Sequence, residues 1–61
     1  MALNHLNDQQ LIEARTMEAR RLYAAAAALD AASAPASRAS VDAAMDRFYP
    51  FDVEARRRGI V

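Results

Sequence analysis

RRLYAAAAALDAASAPASRAS, residues 20–40, occupies the middle of a 61-residue chain. Five consecutive alanines run from Ala24 to Ala28, and Ala31, Ala32, Ala34, Ala36 and Ala39 follow. Alanine loses no side-chain entropy on entering a helix, so such a run favours helix even where little packs against it. Pro35 interrupts the pattern. It cannot donate the backbone hydrogen bond of a helix interior, and it pushes Ala34 out of the helical region. The stretch therefore reads as the end of one helix, a serine-rich turn, and the start of another.

Upstream, the first helix has a marked beginning. Asn7 is a favourable N-cap and Gln10 stands three residues later, the spacing of a capping box. Leu6 and Leu11 are placed for a hydrophobic staple, and Asp8 suits the positive end of the helix dipole. Neither Gly nor Pro occurs from there to Ala32. These signals predict a helix over about 8–32. The preceding segment, MALNHLN, carries no cap or pattern of its own and is expected to fray.

Downstream, the turn is expected at 33–36, with Ser33, Ser37 or Ser40 as cap. Val41, Ala44, Met45 and Phe48 recur at i, i+3, i+4 and i+7, the stripe of a second helix over about 37–48. Arg38 and Asp42 are spaced to pair along it. Pro50 is expected to stop it. Asp52 then caps a short third helix over about 53–58, with Gly59 past its end and Ile60 placed for the contact that follows. Glu54 can pair with Arg57 and Arg58. The expected fold is all-α: a helical hairpin forming one small domain over 1–61.

Such a chain is short of core. At this size only about 60% of the unfolded surface is buried on folding, and disulfides, metals or assembly commonly supply the rest. The chain has no cysteine and one histidine, His5. On helix 1, Ile12, Ala19 and Ala26 recur every seven residues, as do Leu22 and Leu29, with Arg15 as a polar defect. The expectation is a homodimer in which two hairpins form a four-helix bundle. Its interface would be built from Ile12, Ala19, Leu22, Ala26, Leu29, Val41, Met45 and Phe48.

Composition narrows the function classes. Eight arginines, with no lysine, balance eight Asp plus Glu, so whole-molecule attraction to nucleic acid or an anionic membrane is disfavoured. No apolar run is long enough to span a membrane. The N-terminus lacks a basic start followed by an apolar run, the form of a secretory leader, and a cytoplasmic location is expected. His5 has no companions for a catalytic or metal role. Asp42 and Asp46, at i and i+4, lack the Glu-x-x-His motif of a metal-binding bundle and read as a solvated face. No catalytic residue, cofactor site or metal site is assigned.

Two clusters remain. Phe48, Tyr49, Pro50 and Phe51 concentrate the aromatics, and Arg56, Arg57 and Arg58 follow closely. Aromatic residues and arginine dominate the energetic centres of protein interfaces. Tyr49, Phe51, Val53, Arg56, Arg57 and Arg58 are therefore the expected contact surface for an unidentified protein partner. The sequence points to a non-enzymatic interaction module, a homodimeric regulator or inhibitor of the kind phages and mobile elements encode. The alternative is a helical-hairpin RNA or DNA binder acting through Arg15, Arg20, Arg21 or Arg56–Arg58.

Overall fold

The computed structural model describes residues 3–31 and 35–61. It consists of two helices of equal length, α1 (Asp8–Ala31) and α2 (Pro35–Arg58), each of 24 residues. They pack antiparallel as a hairpin: Asp8 near the start of α1 meets Arg58 at the end of α2, and Arg15 meets Asp52. The expected end of the first helix at Ala32 and the caps and turn at Ser33 and Ala34 lie outside the described residues. Pro35 and Ala36, expected in the turn, open α2 instead, where the missing N–H of Pro35 has no helical partner to lose.

The start of α1 forms as its residues dictate. The Asn7 side chain accepts a hydrogen bond from the Gln10 amide at 2.8 Å, and the Gln10 side chain accepts from the Asn7 amide at 2.9 Å. Two otherwise orphaned N–H groups are satisfied reciprocally. Leu6 packs onto the cluster of Leu3, Leu11 and Ala55, which completes the staple. The N-terminal segment is not frayed where it is described. Leu3 is buried, the Leu6 amide donates to its carbonyl at 3.1 Å, and an Arg58 guanidinium donates to the same carbonyl at 3.0 Å.

The main correction concerns Pro50. It does not stop the second helix: α2 passes through it to Arg58, and no separate helix over 53–58 exists. The physical reason is the seam. Ser37, Val41, Ala44, Phe48, Phe51, Ala55 and Arg58 are all at least half-buried and follow a 4-3-4-3-4-3 spacing. This heptad stripe crosses position 50 without a break. Its packing against α1 outweighs the local cost of one proline, about 3 kcal/mol in a helix interior. Pro50 is exposed, as is Asp46, whose carbonyl loses its helical donor.

The matching stripe on α1 is Leu11, Arg15, Glu18, Leu22, Ala25 and Leu29, again at 4-3-4-3-4 spacing and all at least half-buried. Beyond α2, Gly59 takes a left-handed φ of 73°, and its amide donates to Arg56 O at 3.1 Å. The Ile60 amide donates to Ala55 O, also at 3.1 Å, and the Ile60 side chain packs on the core cluster. This is the Schellman end that Gly59 and Ile60 predict, closing a helix of 24 residues in place of the short one expected over 53–58.

Replacing Pro50 by Ala restores one helical hydrogen bond and removes the ring clash, and neither Cβ nor ring is needed by the core. Pro50→Ala is expected to stabilise the chain by about 1–3 kcal/mol. At this size that raises the melting temperature by several degrees, measured at fixed protein concentration. An unchanged or lowered melting temperature would show that α2 carries no strain at position 50.

Candidate functional site

The two stripes divide the hairpin into two broad sides. In heptad terms the first position of each stripe pair leans to one side and the second to the other. Arg15, Leu22 and Leu29 of α1 and Val41, Phe48 and Ala55 of α2 lean one way. Flanking them are Ile12, Ala19 and Ala26 on α1 and Met45 and Asp52 on α2, with Tyr23 and Tyr49 further out. We call this the alanine–tyrosine side. The opposite side carries Glu18, Arg21, Arg47, Glu54 and Arg57.

The inter-helix contacts agree with this division. Arg15 donates to Asp52 at 2.9 Å on the first side, and its guanidinium lies 5.3 Å from the Phe48 ring centroid. On the second side Arg47 approaches Glu18 at 4.0 Å.

All eight residues expected at a dimer interface share the alanine–tyrosine side. Leu22, Leu29, Val41 and Phe48 take seam positions and are half-buried between the helices. Ala19 and Ala26 flank them, and Ile12 and Met45 are exposed there, at 39% and 53%. A shallow groove lined by Leu22, Met45, Asp46, Phe48 and Tyr49 runs along this side.

The six residues expected to meet a partner are not brought together. Because α2 is continuous, they are spread around its circumference. Phe51 is half-buried on the core cluster. Arg58 is held by Glu54, by Asp8 at 3.0 Å and by the Leu3 carbonyl. Tyr49 and Arg56 lie on the alanine–tyrosine side, Val53 faces away from α1, and Arg57 lies on the other side. Tyr49 and Val53 are exposed, at 66% and 47%.

The arginine run is engaged within the chain. Both oxygens of Asp52, a buried carboxylate, are used: Oδ1 by Arg15 and Oδ2 by Arg56 at 3.0 Å. Arg56, followed by Arg15, holds the Asp52 carboxyl below its ordinary range against the opposing effect of burial. Glu54 accepts from Arg57 at 2.8 Å and from Arg58 at 2.7 Å. These two bonds, Arg57 first, lower its pKa from 4.5 to about 2 and raise those of both arginines. Arg21 pairs with Glu18 at 3.3 Å. Arg38 and Asp42, spaced to pair, form no ion pair with each other.

Two residues escaped the sequence reading. Leu3 lies before the first helix, and no local pattern marks it as core. Asp52 was read as a helix cap; its role as the acceptor shared by Arg15 and Arg56 depends on α2 continuing through Pro50. The one available signal was length: a first helix of about 25 residues needs a second of similar length to cover it.

His5, Asp42 and Asp46 are exposed. Among the described residues no group of three His, Cys, Asp or Glu side chains is placed to hold a metal ion, and no buried side-chain polar atom lacks a partner. No helix is long and apolar enough to cross a membrane. Comparison with protein-family models, with curated proteins and with solved structures gives no match.

The charge pairs at the open end make stability pH-dependent. A carboxyl whose pKa is lowered by folding stabilises the fold above its unfolded value and loses that contribution as pH falls through the folded one. For Glu54 the window is from 4.5 down to about 2, and Asp52 shifts in the same direction. The melting temperature is expected to fall steadily across that window, and Glu54→Gln should flatten the decline. Superimposable acid profiles for wild type and Glu54→Gln would remove the pair as a source of stability.

Proposed function

We propose that this chain is a small non-enzymatic protein–protein interaction module, a homodimeric regulator or inhibitor that binds and masks another protein. The observation that supports it is the balance of apolar exposure. Leu11 is the one large side chain fully buried among the described residues, while Ile12, Met17, Tyr23, Met45, Tyr49, Val53 and Val61 are exposed. Interfaces favour tyrosine and methionine over charged side chains at their centres, and Tyr23, Met45 and Tyr49 stand together on one side of the hairpin. The cytoplasm remains the proposed location, and a phage or mobile element the proposed source.

The nucleic-acid reading is weaker in this geometry. Arg15, Arg21, Arg47, Arg56, Arg57 and Arg58 each hold a carboxylate of the same chain. Contact with phosphates would have to compete with those pairs, and the overall charge is zero.

On the outer face of α2, Val53 is the expected contact for the partner protein, with Arg57 beside it. Affinity capture from a lysate of the source cells with Val53→Asp as control checks this, since an exposed valine tolerates the change. The wild type is expected to recover a protein that the variant recovers at least ten-fold less, with little loss at about 0.5 M salt. Equal recovery removes this surface. Recovery of RNA or DNA that falls steeply with salt turns the reading to nucleic acid.

A further inference from the structure

We propose that the alanine–tyrosine side is covered by a second copy of this chain running antiparallel to the first, so that two hairpins form a four-helix bundle. The inference rests on the reading that the chain self-associates, and adds which side is covered and in which direction.

The first support is area. The chain exposes 4366 Å², against about 3,900 Å² for a compact monomer of 6.7 kDa. Its extents are 37 × 18 × 14 Å. A broad side of such a body offers on the order of 650 Å², close to the ~800 Å² per partner of a standard stable interface. Four of the seven exposed large apolar residues sit on this side. Tyr23 (73% exposed), Tyr49, Met45 and Ile12 project from it. Ala19 and Ala26 leave room for a neighbouring helix to approach, and the groove between Leu22 and Tyr49 can receive a projecting side chain.

The opposite side offers less apolar surface: Met17 is its exposed large apolar residue, beside the ion-paired Glu18, Arg21, Arg47, Glu54 and Arg57.

Charge sets the direction. At the open end of the alanine–tyrosine side, Arg15 and Arg56 surround the carboxylate of Asp52, and Asp8, seven residues before Arg15, adds a second negative charge, so these four charges cancel. Near the closed end the same side carries Asp30, Arg38 and Asp42, which leaves one negative charge. Antiparallel pairing sets each negative closed end against the partner's neutral open end. Parallel pairing sets the two negative closed ends against each other.

With this side covered, Tyr49 and Arg56 belong to the second copy. Val53 and Arg57 remain for a third protein.

Solution mass by light scattering tests the proposal. The wild type is expected at twice 6.7 kDa. Tyr23→Glu with Met45→Glu, two exposed positions, is expected at the mass of one chain with its helical circular dichroism retained. Should that double variant lose helix, Tyr23→Glu alone reads the same mass with a smaller perturbation. Met17→Glu, on the other side, is expected to stay dimeric.

A dimer that survives the Tyr23 and Met45 changes overturns the side while leaving self-association in place. A wild type at the mass of one chain throughout the micromolar range overturns both. Direction is read with cysteines introduced into this cysteine-free chain. Ile12→Cys and Asp30→Cys are expected to cross-link with each other when mixed, and neither with itself. Self-cross-linking of Ile12→Cys overturns the antiparallel arrangement.

Discussion

Two helices lying side by side share one line of contact, and every side chain on that line stays close to water on both sides. This limit governs the rest of the molecule. Across the described residues it allows a fully buried Leu11 and buried Leu3, Ala44, Asp52 and Ala55, while Leu22, Leu29, Val41, Phe48 and Phe51 remain only partly covered. The radius of gyration, 13.0 Å, exceeds the ~10.5 Å of a compact domain of this length. A hairpin so shaped must hold itself together by means other than a deep core.

At the open end those means are polar and local. The capping box opens α1, the Schellman turn ends α2, and Arg58 ties the end of α2 to Asp8 and to the Leu3 carbonyl. Arg58 is largely shielded and Asp8 is exposed, so the pair between them is weak on Coulomb grounds. Its value is geometric: the guanidinium satisfies a backbone carbonyl and keeps Leu3 over Leu11. One turn further along, Asp52 accepts from Arg15 and Arg56, which lets an arginine occupy a seam position between Leu11 and Leu22. The aliphatic stem of Arg15 packs, its guanidinium approaches the Phe48 ring, and its charge is neutralised by a carboxylate that is itself fully bonded.

Local signals were legible in the sequence where they depend on neighbours in the chain. The cap at Asn7 and Gln10, the staple at Leu6 and Leu11, the alanine-rich helix, and the end at Gly59 and Ile60 all follow from spacing alone. The phase of the α1 seam and the length of α2 were not legible in that way. Counting from Ile12 made Arg15 a defect. Counting from Leu11 makes it a seam position, and only the facing Asp52 shows why it is tolerated. Pro50 was read by its local preference, whereas the heptad of Phe48, Phe51, Ala55 and Arg58 continues across it. The dimer-interface set came out on one side because it was chosen by periodicity, which survives an error in phase. The partner-binding set was chosen by proximity in sequence after a supposed helix end, and a continuous helix scatters such a set around its circumference.

In the proposed dimer, alanines on this side of α1 have a second role besides helix propensity. Large side chains there would hold the second copy at a distance; alanines at 19 and 26 would let it come close, and the leucines at 22 and 29 would fill the space between. Helix propensity and interface shape then ask for the same residue. A selective pressure for helix alone would be met equally well by Glu, Lys, Gln or Arg at exposed positions, and would put no tyrosine at 23 or 49. Small seam-flanking residues beside exposed aromatic ones on one side, with the ion pairs of Glu18, Arg47, Glu54 and Arg57 on the other, are the arrangement the proposed assembly would use.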